Sequence, residues 1–203
     1  AWASVVAFRL SNLRISPFRY IPWSDFLEVN LRTYVRDSHG RRGVWFYSLD
    51  SSDLPAVLGA RSLYGLSYFH SVIEMEKKEQ SIRFRSQRKR FFGSAQASLG
   101  AKLPLGGKGL PHAKSPLDRY LLERYRFWAR RKLAAQSSTA TVCHRPYDAH
   151  LVERAYYEGG LFKAWGIKEP QTSPLVAHYC KGFPVSASAP AWALRTFGQA
   201  NQR

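Results

Sequence analysis

The chain has 203 residues, of which 45% are apolar and 22% are charged, a mixture typical of a globular protein. Its 31 basic residues outnumber its 14 acidic residues and give a net charge of +17, which favours anionic partners. No apolar run reaches the roughly 20 residues of a membrane-spanning helix, and two cysteines are too few for a disulfide framework. We therefore expect one cytoplasmic domain over residues 1–203, without a membrane partner.

The first part of the chain alternates between apolar and polar residues, the period that is typical of β-strands. Strands are predicted at residues 2–10, 28–36 and 44–50, and the glycine-containing turn DSHGRRG joins the second and third into a hairpin. Because a domain rarely begins in the middle of its sheet, we expect the chain to lack the natural N-terminal elements of the domain.

The segment that follows is predicted to be a helix and then a second hairpin. Residues 51–53 are suitable N-cap residues, Pro55 suits a first helical turn, and Gly65 is a typical C-terminal stop. Alternation resumes at residues 68–77, which pair with residues 82–85.

The segment 87–114 is rich in Gly, Ser and Lys, and we predict a flexible excursion there. Its glycines do not have the spacing of a phosphate-binding loop. A helix begins at Ser115 and Pro116, and its periodicity allows it to continue to Lys132, although residues from Tyr125 onward also fit a strand. Many strands with few short helices predict an α+β fold, built on a mainly antiparallel sheet that curls into a barrel.

The basic residues favour a solvated surface over a dedicated nucleic-acid site. The dense runs are RFRSQRKR and RYRFWARRK, and the first alternates basic with apolar residues, as solvent-facing strands do. No zinc-finger spacing, helix-turn-helix or RNA-recognition signature is present. We expect only non-specific binding to nucleic acid, and a basic protein that binds nucleic acid or another polyanion is the alternative function.

Several stretches together resemble the YqjF-like family of uncharacterised bacterial proteins. They are FLEVNLRTYVR, GRRGVWFYSLD, AVLGARSLYGLSYFHSVI, LDRYLLERYRFW, CHRPY and LVAHYCKGFPV, and they span nearly the whole chain except residues 87–114. The family is similar to acetoacetate decarboxylases, so the resemblance implies a cone-shaped β-barrel with an internal cavity. It also implies a helix over residues 115–123, a strand from Tyr125, and further N-terminal elements.

The resemblance also implies where catalytic lysines would stand. In acetoacetate decarboxylases a helix with a Gly-Arg-Glu motif leads through a turn to Pro-Lys-Lys, whose first lysine forms a Schiff base. Here the matching stretch keeps Arg61, but Tyr68 and Phe69 occupy the lysine positions. Because a Schiff base needs a neutral amine, we exclude this chemistry at these positions. Whether the protein is an enzyme of another kind stays open.

The polar row of the second predicted strand supplies the first candidate site residues. Arg32 and Tyr34 share one face, opposite the apolar row Val29, Leu31 and Val35, which the two predicted helices are available to cover. The polar row then lines the cavity, where Arg32 binds a small organic molecule such as a carboxylate. A solvent-facing row is the structural alternative.

Four further residues are candidates for the pocket. Arg61 is an anchor for a ligand or a tie between helix and sheet, and Tyr68 and His70 stand where the decarboxylases keep their chemistry. Glu123 belongs to the unit ERY, for which an ion pair between Glu123 and Arg124 is a sufficient explanation. A structural domain with a vestigial cavity is a third alternative, and the sequence is compatible with an oligomer.

The histidine and cysteine spacing predicts no metal site. His144, His150, His178 and Cys180 are spaced more loosely than the tight pairs of tetrahedral zinc sites. No cofactor motif is present either, so we expect neither a metal nor a cofactor.

Overall fold

The computed structural model describes residues 2–11, 14–15, 25–103, 111–130, 137–152 and 154–189. Within these ranges the α-helices are α1 (Leu54–Tyr64) and α2 (Pro116–Leu122). The strands are β1 (Ala3–Leu10), β2 (Arg14–Ile15), β3 (Phe26–Arg36), β4 (Arg42–Ser51), β5 (Tyr68–Lys78), β6 (Ser81–Arg88), β7 (Gln96–Lys102), β8 (Arg126–Arg130), β9 (Ser137–Cys143), β10 (Ala149–Leu151), β11 (Ala155–Gly159), β12 (His178–Cys180) and β13 (Ser186–Ala187). The predicted α+β class, mostly strands with two helices, is confirmed.

Strand β4 is the point at which the main sheet divides. β3 pairs antiparallel along one edge of β4. On the other edge, Leu49–Ser51 pair in parallel with Tyr68–His70 of β5, whereas Val44–Trp45 pair in parallel with Phe127–Trp128 of β8. The strands β5 and β8 therefore diverge from the same edge of β4.

The sheet continues from β4 in several directions. One arm runs β5–β6–β7–β11, a second runs β8–β9–β13–β2, and β3 carries β1 on the opposite edge. Strands β10 and β12 form a separate antiparallel pair. Among the described strands no pairing joins the ends of these arms, so the barrel predicted from the sequence stays a prediction.

The helix α1 has the start and stop that the sequence predicts. The Asp53 carboxylate accepts a hydrogen bond of 2.6 Å from the backbone N–H of Ala56, which satisfies one of the free donors at the helix start. Gly65 ends the helix in the left-handed conformation, with φ of 70°, which glycine adopts without steric penalty. The turn after Gly65 leads into Tyr68, the first residue of β5.

The helix α2 is short, and a strand follows it. Ser115 and Asp118 form a reciprocal capping box at its N-terminus, with the Ser115 hydroxyl accepting from the Asp118 N–H at 3.1 Å. The helix ends at Leu122 and β8 begins at Arg126. Of the two alternatives that the sequence left open, the strand is the correct one.

The apolar row of β3 is covered by strands and not by the helices. Val29 and Leu31 are fully buried, and they belong to a core that includes Ile73, Phe84, Ala97 and Leu161. Helix α1 packs into a second core instead, through Val57 and Tyr64. The sequence suggested that helices would cover Val29 and Leu31, but β5, β6 and β7 lie across that face.

The predicted excursion at residues 87–114 is corrected in its first part. Residues 96–102 form β7, which pairs with β6 and with β11. The small residues of this strand are typical of a loop, which is why the sequence predicted an excursion. Gly100 is required because neighbouring strands pack closely against it. A Cβ atom at Gly100 would lie 2.7 Å from the Ile82 carbonyl oxygen. Residues 104–110 lie outside the described ranges.

Candidate functional site

A cavity of about 1240 Å³ lies against the face of the sheet that carries the even-numbered residues of β3. Its wall combines residues of β1, β3, β4, α1 and β5 with residues from the segment 167–187. Much of this wall is apolar, and among the apolar side chains are Val44, Phe46, Leu49, Leu66 and Phe127. A mostly apolar cavity with a few polar groups is typical of a small-molecule site.

One strand supplies a row of four polar side chains to the cavity wall. Glu28, Asn30, Arg32 and Tyr34 alternate along β3 and line the cavity together. Their sequence spacing of two places them on one face, because successive side chains of a strand point to opposite faces. Glu28 and Asn30 are each 2% exposed, so this end of the row is fully buried.

Glu28 is the centre of a buried hydrogen-bond network. The Tyr68 hydroxyl donates to Glu28 Oε2 at 2.7 Å, and the Asn30 amide donates to Oε1 at 3.1 Å. Burial raises the pKa of Glu28 to about 7, against the two hydrogen bonds, which lower it. Burial also raises the pKa of Tyr68 well above its usual value, so Tyr68 stays a hydrogen-bond donor at neutral pH. Glu28 is therefore the titrating group of this network.

Two arginines lie near the Tyr34 ring at similar distances. The guanidinium carbons of Arg32 and Arg124 lie 5.9 and 5.8 Å from the ring centroid of Tyr34. The Tyr34 hydroxyl donates to the Leu121 carbonyl oxygen at 3.2 Å and is 2.6 Å from the Ser4 hydroxyl. These two contacts fix the position of the Tyr34 ring, near which both cations lie.

Both arginines carry buried donor atoms that the described residues do not use. Arg32 Nε and Arg124 Nη2 are buried and have no hydrogen-bond partner among the described residues. Among the residues that the structure describes, neither guanidinium forms an ion pair with a carboxylate. The hydrogen bond from Arg32 Nη2 to the Leu121 carbonyl oxygen is long, at 3.5 Å. An unpaired buried donor on a charged group is costly, so an acceptor atom of a ligand or of a water molecule would stabilise it.

The structure brings three of the six predicted site residues into one cavity wall. Arg32, Tyr34 and Tyr68 line the cavity, whereas Arg61, His70 and Glu123 are not part of its wall. This placement is the geometry that the small-molecule hypothesis requires. Ligand binding itself stays a prediction.

Arg61 and His70 have structural contacts outside the cavity. Arg61 is exposed, and its Nη1 donates to the Tyr68 carbonyl oxygen at 3.1 Å, which ties the end of α1 to the start of β5. The His70 ring packs edge to face on Phe92, with centroids 6.0 Å apart. The hydrogen bond from Arg61 to Tyr68 connects helix and sheet, which is the structural alternative stated for Arg61 in the sequence analysis.

Glu123 does not line the cavity but holds a residue that does. Its carboxylate accepts hydrogen bonds from the Tyr125 hydroxyl and, at 3.0 Å, from the backbone N–H of Tyr147, a residue that lines the cavity. The ion pair suggested between Glu123 and Arg124 is not formed, because the Arg124 guanidinium lies over the ring of Tyr120, 4.4 Å from its centroid. Arg124 thereby turns toward the cavity.

Sequence reasoning did not select Glu28 and Arg124 as pocket residues. Glu28 continues the even-numbered row of Arg32 and Tyr34, so the alternation itself was a signal for it. Arg124 lies in the connection between α2 and β8, where no periodicity indicates which way a side chain points.

A buried charged pair lies beside Phe69, which the family resemblance places at the second lysine position. Arg88 Nε donates to Asp50 Oδ1 at 2.9 Å, and both side chains are almost fully buried. The Arg88 guanidinium carbon lies 3.7 Å from the ring centroid of Phe69. Burial raises the pKa of Asp50, while Arg88 opposes this increase. Phe69 is not part of the cavity wall, so this pair belongs to the scaffold.

A family profile named DUF2071, described as "Uncharacterized conserved protein (COG2071)", matches residues 1–184. The chain belongs to the DUF2071 family. It is 35% identical over 184 residues to the "Uncharacterized protein YqjF" of Bacillus subtilis (strain 168), a match that covers 89% of this chain and 72% of that protein. The YqjF-like family resemblance seen in the sequence is therefore confirmed for this DUF2071 protein.

Solved structures of acetoacetate decarboxylases are similar to the DUF2071 chain at low identity. The enzyme from Legionella pneumophila matches with a TM-score of 0.48 and 14% identity over 82% of this chain and 62% of its own. A structure titled "Structural Studies of Acetoacetate Decarboxylase" matches with a TM-score of 0.47 and 11% identity over 82% and 64%. An acetoacetate decarboxylase-like enzyme from Sphingomonas wittichii matches with a TM-score of 0.45 and 16% identity over 80% and 63%. The chain thus spans less than two thirds of the length of these proteins.

The described helices are all too short or too polar to cross a membrane.

Proposed function

We propose that this DUF2071 protein binds a small organic carboxylate in the cavity beside β3. The observation that carries the proposal is the pair of buried, unused donors on Arg32 and Arg124. A carboxylate offers two acceptor oxygens in the plane of the guanidinium fork, which is the geometry that arginine binds best. The negative charge of the ligand would also offset two cations that form no ion pair with a described carboxylate.

The rest of the cavity fits the hydrocarbon part of such a ligand. Phe46, Leu49 and Phe127 line it, and the volume of about 1240 Å³ is ample for a molecule of this class. The barrel-like enclosure predicted from the sequence belongs to this proposal, since small-molecule sites bury most of the surface of their ligand. A cytoplasmic location also belongs to it, and the free thiols Cys143 and Cys180 support that expectation.

Glu28 gives the proposed site a dependence on pH. Its carboxylate is the acid of the cavity that acts electrostatically on Arg32. Below pH 7 Glu28 is protonated and neutral, so it does not compete with an anionic ligand for Arg32. Affinity for a carboxylate is therefore expected to increase as the pH falls from 8 to 6, as long as the ligand itself stays ionised.

Calorimetry with a panel of small carboxylates tests the proposal. Acetoacetate, pyruvate and benzoate are suitable probes, each measured beside its uncharged amide or methyl ester. Arg32→Gln and Arg124→Gln are expected to weaken binding by about tenfold or more, because a hydrogen bond to a charged group contributes about 1.5–3 kcal/mol. Arg32→Lys keeps the charge but loses the fork, and is expected to restore only part of the affinity.

Arg36→Gln is the matched control. Arg36 lies on β3, two residues beyond Tyr34, but it is exposed and outside the cavity wall, so its removal changes the net charge equally. Equal loss of affinity in Arg32→Gln and Arg36→Gln would show that binding follows net charge, and it would refute the proposed site. Equal affinity for a carboxylate and its amide would refute it as well.

A further inference from the structure

Two histidines and one aspartate from different segments meet on the protein surface, away from the cavity. His112, Asp148 and His150 each offer one ligand atom, and these atoms all lie within 4.8 Å of one another. None of the three residues lines the cavity. We propose that His112, Asp148 and His150 bind a divalent transition-metal ion such as Zn²⁺.

The distances in the cluster suit a metal better than a simple ion pair. His112 Nδ1 lies 3.5 Å from Asp148 Oδ1, which is long for a charged hydrogen bond. Two ligand atoms bound to one tetrahedral zinc ion at about 2.0–2.1 Å are separated by about 3.3 Å, close to this spacing. The imidazole rings of His112 and His150 have centroids 4.4 Å apart and are tilted by 36°. Small side-chain rotations would bring all three atoms to one ion.

The backbone holds the two ligand-bearing segments together. His112 and His150 form an antiparallel bridge, with the Ala113 N–H donating to the Ala149 carbonyl oxygen at 2.9 Å and the Leu151 N–H donating to the Pro111 carbonyl oxygen at 2.8 Å. The pairing of β10 with β12 supports His150 from the other side. The metal would therefore find its ligands pre-organised, and little ordering of the chain would oppose binding.

The chemistry of the ligand set points to zinc and related ions. Imidazole nitrogen and one carboxylate suit Zn²⁺, whereas Mg²⁺ and Ca²⁺ prefer all-oxygen sites. Asp148 and His112 are largely exposed, with side-chain exposures of 69% and 54%, so an ion reaches them directly from solvent. Three protein ligands leave a fourth position for water or another small ligand.

Titration of the tag-free protein with zinc chloride, followed by calorimetry, tests the site. One zinc ion per chain is expected to bind with micromolar or tighter affinity. His112→Ala, Asp148→Asn and His150→Ala are each expected to weaken binding by at least about tenfold, since even the partners of metal ligands contribute about 10–100-fold. His39→Ala, in the exposed turn between β3 and β4, is the control and is expected to keep full affinity.

A second measurement avoids dependence on the variants. In the wild-type protein, zinc is expected to shift the NMR signals of the His112 and His150 rings and to leave those of His39 in place. Unchanged ring signals, or equal zinc affinity in His39→Ala and His150→Ala, would overturn the proposal. Arg32→Gln is expected to retain zinc binding, so failure of the carboxylate site and failure of the metal site are distinguishable.

Discussion

Glu28→Gln removes the titrating group of the buried hydrogen-bond network and keeps nearly the same side-chain shape. The pKa of Glu28 rises from its usual 4.5 to about 7 in the folded protein, mainly because the carboxylate is buried. At 1.36 kcal/mol per pKa unit, ionisation of Glu28 costs about 3 kcal/mol of folding free energy at high pH. Because the folded-state pKa of Glu28 is raised, burial of its carboxyl does not reduce the free energy of unfolding below pH 4.5. The free energy of unfolding then decreases as the pH rises from 4.5 through about 7. Glutamine still accepts from Tyr68 but has no charge to bury.

Urea unfolding followed by tryptophan fluorescence measures this effect at pH 5 and pH 8. The stability of Glu28→Gln relative to wild type is expected to increase by about 2–3 kcal/mol between these two pH values. Glu76→Gln is the control, because Glu76 is exposed and its pKa is lowered by the hydrogen bond with Lys78, so it is ionised over the whole range. A difference between Glu28→Gln and wild type that stays constant with pH would refute the burial of an ionisable carboxyl at this position.

Three further predictions concern packing, imine chemistry and charge. Gly100→Ala is expected to destabilise the protein by about 1–3 kcal/mol in thermal unfolding, because its Cβ would meet backbone 2.7 Å away, whereas Gly160→Ala has nothing within 4 Å and is expected to be tolerated. Borohydride with acetoacetate is expected to leave the intact mass unchanged, because Tyr68 and Phe69 replace the imine-forming lysines, and an adduct on any lysine would contradict this. Duplex DNA is expected to bind without sequence preference, with a dissociation constant of about 10⁻⁴ to 10⁻⁶ M, and nanomolar selective binding at physiological salt would contradict it.

The local signals in the sequence predicted the elements that depend on local chemistry. Asp53 and Gly65 fixed the ends of α1 because capping and a left-handed turn need particular residue types. The alternation along β3 separated its buried apolar row from the polar row that lines the cavity. The strand β7 was missed because its small residues are selected by close neighbours such as Ile82 and Tyr156, which lie far away in the sequence.

The candidate site was predictable only where a strand carried it. Arg32 and Tyr34 follow from the two-residue period of β3. Tyr68 was selected because the family resemblance implies that it stands at a lysine position of the decarboxylases. The roles of Arg124 and Glu123 depend on how the connection between α2 and β8 bends, because this bend directs the Arg124 guanidinium onto aromatic rings. Such a contact between distant segments has no periodic signature in one sequence.

A crystal structure with a brominated analogue of the tightest-binding carboxylate tests the central claim most directly. The anomalous signal of bromine is expected inside the cavity, with the carboxylate oxygens within hydrogen-bonding distance of Arg32 Nε or Arg124 Nη2, the two buried donors that the described residues leave unused. Bromine found only at the outer surface, or a carboxylate that contacts neither arginine, would contradict the proposed site.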